Sequence, residues 1–121
     1  MAHRILVAEG RAAVAAWVRS AGQRDASLDR ATLATAVRFT LQRLEARAPG
    51  RSVEVRVPPF GAVQCLEGTS HRRGTPPAVI ETDAETWLAL ATGRLSWADA
   101  VADARVQASG ERADLAALLP L

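Results

Sequence analysis

The spacing of apolar positions along this chain changes period from segment to segment. Between Arg11 and Ala21, Val14, Trp17, Val18 and Ala21 recur at i, i+3, i+4 and i+7. That spacing predicts one buried face of a helix, with Gly22 as its stop. Residues 1–9 read as a short strand or a loose arm. After the turn-rich GQRDAS, Ser27 is placed to cap a longer helix from about Leu28 to Ala48, ended by Pro49-Gly50. Leu33, Val37, Leu41 and Leu44 form its main stripe, while Phe39 and Leu28 fall on another side. A helix with two apolar sides needs two contacts: a sheet, and either the first helix or a ligand.

The texture then alternates. In SVEVRVP, Val53, Val55 and Val57 point one way, and Glu54 and Arg56 the other. This is a strand with one wet face. Pro58-Pro59 ends it, because proline removes a ladder donor. GAVQCLEG predicts a second strand, with Val63 and Cys65 on one face and Gln64 and Leu66 on the other. TSHRRGTPP reads as a polar loop and AVIET as a third strand.

The last forty or so residues return to helical spacing. Thr82-Asp83-Ala84-Glu85 fits a capping box, with Glu85 reaching back to the N-terminal backbone. Trp87, Leu88 and Ala91 form the stripe that follows, and Gly93 closes it. Ser96 starts another helix, with Trp97, Ala100, Val101 and Ala104 on one face. RVQASG predicts a short strand with Val106 and Ala108 inward, and Asp114 caps a closing turn or helix in LAALLPL. Strands adjacent in sequence, with helices segregated before and after them, give an α+β domain with a mostly antiparallel sheet.

Composition narrows the picture only a little. The chain has 121 residues, the length of one domain, spanning 1–121 without an internal repeat. All fifteen basic residues are arginine, against thirteen acidic ones, for a net charge of +2. The arginines are spread along the chain, and only Arg72 and Arg73 are adjacent. A nucleic-acid surface would cluster them, so no nucleic-acid partner is expected. The single Cys65 rules out an internal disulfide and suits a reducing compartment. No apolar run reaches the length of a membrane span, and RILVA is too short for a signal-peptide core. A cytoplasmic protein without stable membrane insertion is the expectation.

The residues offer little catalytic chemistry. Cys65 lies mid-strand among apolar neighbours, with His71 six positions on, and reads as a small buried hydrophobe. Cys65, Glu67 and His71 match no zinc spacing, and His3 is isolated. No phosphate-binding glycine loop appears. Asp83, Glu85 and Asp99 are accounted for by helix caps. Neither an enzymatic activity nor a cofactor or metal is expected. Arg72 and Arg73 are the candidates for holding an anionic head group. The other candidates are apolar: Phe39, Val63, Cys65, Trp87 and the C-terminal leucines, which either enclose a pocket or fill the core.

TWLALATGRLSWADAV, the strand RVQASG and the leucine-rich end resemble the C-terminal half of the sterol carrier protein-2-like family. RATLATAVRFTLQRLEARAPGRSVEVRVPPFGAVQCLEG is similar to its small stand-alone bacterial branch. The likeness covers residues 28–121, and residues 1–27 form an N-terminal arm and first helix. It implies a twisted, mostly antiparallel sheet of four to five strands, covered by helices on one face. It further implies an apolar tunnel between sheet and helices that takes fatty acyl chains, sterols or other lipids without catalysis. Carried over by position, Val63 and Cys65 fall on the sheet wall, Trp87 and Leu88 on the covering helix, and Leu118 and Leu119 near the tunnel end. Phe39 completes the lining, with Arg72 or Arg73 at the mouth. The chain ends Leu-Pro-Leu, without the peroxisomal tripeptide of many eukaryotic carriers. The alternative is an accessory interaction module with a filled core and an unknown protein partner. Similar halves are attached to mycothiol-dependent maleylpyruvate isomerase-like enzymes.

Overall fold

The computed structural model describes residues 4–21, 28–68, 78–110 and 113–121. Helices α1 (Val7–Ala21) and α2 (Arg30–Arg47) precede strands β1 (Val53–Val57), β2 (Gly61–Cys65) and β3 (Ala78–Thr82). Helices α3 (Ala84–Ala91) and α4 (Trp97–Ala102) follow, and β4 (Val106–Ser109) completes the order. The sheet runs β2-β1-β3-β4, with antiparallel outer pairs and a parallel β1–β3 pair at its centre. The α+β class holds, and the sheet is mixed. Among the described residues it has four strands.

The alternation read from the sequence sets the two faces. Val53, Val55 and Val57 are wholly buried, and Cys65 and Ile80 join them beneath the helices. Glu54, Arg56, Gln64 and Gln107 stand on the open face, where Arg56 is paired with Glu54. Phe60 N–H donates to Val57 O at 2.9 Å, closing a tight turn between β1 and β2. At the opposite end, Ser52 N–H donates to Leu66 O and Ala78 N–H to Ser52 O, tying both neighbours to the start of β1. Gly50 has a positive φ of 152°, and a Cβ there would lie 2.0 Å from Leu66 O. Only glycine lets the chain pass this close.

Helix α2 does have two buried sides. Val37, Leu41 and Leu44 face the sheet, and Phe39 packs against α1. The residues buried on α1 are Gly10, Ala13 and Trp17. Val14 and Val18 flank that face, and Ala21 is exposed. The face is rotated from the expected stripe because Phe39 needs the bare backbone of Gly10. Helix α1 also starts earlier than the spacing predicts, so residues 7–9 are helical rather than strand or arm.

Several caps differ in detail. Asp29 caps α2, its carboxylate accepting from Thr32 N–H at 2.8 Å; Ser27 lies outside the described residues. Asp83, not Thr82, caps α3, accepting from Thr86 N–H. The Thr86 hydroxyl donates a second bond to the same carboxylate. Glu85 is thereby free to accept from the Trp17 indole at 2.9 Å, a link between α1 and α3. Ser96 caps α4 as expected. Ala100 of that helix is buried and Trp97 packs half-buried against the core, while Val101 is half exposed. Ala108 is exposed too, since β4 extends beyond the helix cover. Asp114 accepts from Ala116 N–H and forms a turn, not a helix.

Candidate functional site

A concave space lies where α2 crosses the edge strand β2. Arg38, Leu41, Gln42 and Glu45 line it from α2, at i, i+3, i+4 and i+7. Phe60, Gly61 and Val63 form the opposite wall, and Ile5 closes one side with Arg4 beside it. The groove has a volume of about 480 Å³ and opens to solvent. Val63 is paired with Val55, so it sits on the helix-covered face of the sheet. Leu41 is buried and Val63 half-buried, which gives the groove an apolar floor.

Arginine frames this floor. Arg38 Nε donates to Phe60 O at 2.8 Å, bracing α2 to the β1–β2 turn. The guanidinium carbon of Arg30 lies 5.2 Å from the centre of the Phe60 ring, within cation–π range. Gln42 clamps the N-terminal segment: its carbonyl accepts from Ile5 N–H at 2.9 Å, and its amide donates to Ile5 O at 3.0 Å. Glu45 supplies a negative charge two helical turns from Arg38.

Below the groove, Cys65 is wholly buried. Burial, and secondarily the Glu45 charge, pushes its thiol up to about 11. A thiol in that state is a weak nucleophile at neutral pH. The chain has no lysine and no tyrosine, so Cys65 is the side chain that titrates between pH 9 and 11. A raised folded-state value means that its contribution is complete below the unfolded value of 9.0 and is lost as pH rises through about 11. Denaturant midpoints should therefore fall across that window in the native protein. They should stay level in Cys65→Ala, from a lower starting point. Parallel slopes in the two proteins would assign the alkaline loss to another group.

The remaining candidates are distributed. Trp87 and Leu88 are fully buried in the central cluster, with Leu118 and Leu119 packed against its outside. Phe39 faces a second, shallower groove of about 350 Å³ between α1, α2 and the C-terminal residues, where Leu121 and Arg43 also stand. Thus Val63 lines the larger groove, Cys65 lies in the core beneath, and Phe39 lines the smaller one. His3, His71, Arg72 and Arg73 lie outside the described residues. Sequence reading missed Ile5, Arg38, Gln42 and Phe60 as groove residues. The mixed polar and apolar row at 38, 41, 42 and 45, beside the core stripe, was the available signal.

Among the described residues no three His, Cys, Asp or Glu side chains converge as a metal site requires, and no buried side-chain nitrogen or oxygen lacks a partner. A family model described as bacterial SCP ortholog matches residues 29–121. No curated protein matches the chain.

Proposed function

The chain belongs to the bacterial SCP-ortholog family of sterol carrier protein-like proteins, and on that premise we propose that it binds and carries a hydrophobic ligand without transforming it. The groove between α2 and β2 carries this reading. Its volume of about 480 Å³ lies within the roughly 300–1,000 Å³ usual for small-molecule sites. Its floor of Leu41, Phe60 and Val63 suits an apolar chain. Each methylene buried there is worth roughly 0.8 kcal/mol, so burial supplies affinity and the ligand range is broad. Arginines meet the head group, from Arg4 and Arg38 at the rim or from Arg72 and Arg73. Cys65, Trp87, Leu88, Leu118 and Leu119 extend the apolar lining inward when the helices part from the sheet to admit a longer chain.

A second reading is an accessory interaction module, like the domains attached to mycothiol-dependent maleylpyruvate isomerase-like enzymes. Its support is the core itself, where Cys65, Trp87 and Leu88 are close-packed. Native mass spectrometry of the purified protein, with analysis of its organic extract, separates the two. A stoichiometric lipid supports the carrier. An empty protein that takes up no fluorescent fatty acid supports the module. Val63→Trp fills the groove and is expected to abolish uptake while leaving the protein folded and soluble. Unchanged uptake in that variant would remove residue 63 from the site.

A further inference from the structure

The groove between α1, α2 and the C-terminal residues differs in kind from the one at β2. Its walls carry two cations and no acid: Arg11 from α1 and Arg43 from α2. The α2–β2 groove instead sets Glu45 against Arg4 and Arg38. Among the described residues neither Arg11 nor Arg43 is paired with a carboxylate. Arg47, one turn beyond Arg43, is by contrast committed to Pro120 O at 3.1 Å. Arg43 is held over the Phe39 ring, its guanidinium carbon 5.7 Å from the ring centre. That contact uses the charge and one face of the guanidinium and leaves its N–H groups available. The hydroxyls in the wall turn their protons inward. Thr40 bonds the carbonyls of its own helix and accepts from Trp87, and Thr92 donates to Leu88 O at 2.7 Å. The rest of the wall is apolar, with Val14 and Ala15 on one side and Leu121 on another. Leu121 is pinned there by its N–H on Ala91 O at 3.0 Å.

We infer that this second groove binds a small organic anion: a monocarboxylate with a compact apolar body such as a phenyl ring, its carboxylate taken by Arg11 and Arg43. A guanidinium donates N–H groups and accepts none, so the pair selects an acceptor that carries negative charge. A carboxylate meets the guanidinium fork with two parallel bonds. The apolar wall then favours a ligand with a body to bury over a bare inorganic anion. The volume of about 350 Å³ lies at the lower end of the range for small-molecule sites, which suits one ring and not a long acyl chain. The site is separate from the proposed carrier groove. At 3.6 residues per turn, Phe39, Thr40 and Arg43 stand on the side of α2 opposite Arg38, Leu41, Gln42 and Glu45. One of its walls, α1, also lies outside residues 29–121 matched by the family.

The test is titration of the isotope-labelled full chain with phenylacetate, followed by amide correlation NMR, beside the neutral analogue phenethyl alcohol. Saturable shifts are expected at residues 11–15, 39–43, 91–92 and 121. The Trp87 indole N–H should move with them, since it reports through Thr40. Phenethyl alcohol should give no saturable shift. Arg11 and Arg43 are both exposed, so Arg11→Gln and Arg43→Gln should keep the native spectrum. Each should lower the affinity for phenylacetate roughly tenfold or more, the size of a lost charge-assisted hydrogen bond. Equal binding of the alcohol, unchanged affinity in either variant, or no saturable shift overturns the inference. So do shifts confined to residues 38, 42 and 61–63, which would place the anion in the other groove. Uptake of a fluorescent fatty acid reads that groove separately and should be unaltered by saturating phenylacetate. Competition between the two would merge the sites and overturn the inference. Failure of uptake alone defeats the carrier reading, and the titration still decides the second site.

Discussion

Trp87→Ala is expected to lower the unfolding free energy by about 3–5 kcal/mol, as large-to-small changes of buried aromatics do. Trp87 is 1% exposed on α3, packed where α3 meets α2. Its indole N–H donates to the Thr40 hydroxyl at 2.8 Å, joining residues 47 positions apart. The Thr40 hydroxyl lies within bonding distance of the carbonyls of Ala36 and Val37 in turn. Alanine would therefore empty an aromatic-sized volume and remove the bond that holds α3 in register on α2. A domain of this size has about 5–15 kcal/mol in all, so the variant should be largely unfolded in mild denaturant. Trp87→Phe keeps most of the volume and leaves Thr40 its bond along α2, and it should lose far less. Urea unfolding followed by circular dichroism measures both. A loss under about 1 kcal/mol for the alanine variant, the size of an average substitution, would mean that Trp87 is not a principal contact of this core.

The second large effect is expected at Gly10. Inside a helix, glycine-to-alanine normally stabilises by roughly 0.5–1 kcal/mol. Here a Cβ at position 10 would lie 2.1 Å from Cγ and Cδ1 of Phe39. Phe39 is itself 3% exposed, so the ring has little room to turn away. Overpacking of this kind costs about 1–3 kcal/mol, which exceeds the propensity gain, and the sign reverses. Gly10→Ala should destabilise the protein, and Gly10→Val should lift α1 from α2, with Trp17 moving from a buried to a wet environment. The partner change identifies the cause. Phe39→Leu in the Gly10→Ala background should recover part of the loss, a coupling that independent sites do not show. Stabilisation by Gly10→Ala alone would refute the close packing of ring on backbone.

Where one physical rule decided the outcome, the sequence was a good guide. Val53, Val55 and Val57 alternate with polar residues, and burial follows that alternation. The Ser96 cap and the Gly93 stop depend on local backbone chemistry, and both stand in the structure. Local rules failed where a distant partner competed. Glu85 suits a capping box from Thr82, but the cap falls on Asp83 with Thr86, and the Trp17 indole, far along the chain, bonds the Glu85 carboxylate instead. Trp97, Val101 and Ala104 share helical spacing with Ala100, but a helix of six residues ends before Ala104 and brings Ala100 and part of Trp97 to the core, leaving Val101 half exposed. The groove was legible only through Val63 and the α2 stripe. Its other wall depends on the tight turn that carries Phe60 to Arg38, and on the clamp of Gln42 around Ile5. Spacing along a single element encodes neither contact.

The strand order β2-β1-β3-β4 bears on how the sheet is assembled during synthesis. The first strand made, β1, lies inside the sheet, and each later strand adds to an edge that already exists. β2 pairs on one side through a tight turn, and β3 then pairs on the other. β4 is laid outside β3 once α3 and α4 have been made. No strand has to be inserted between two that are already paired. A ribosome delivering this chain from its N-terminus can therefore build the sheet in the order of its residues, never breaking one ladder to form the next.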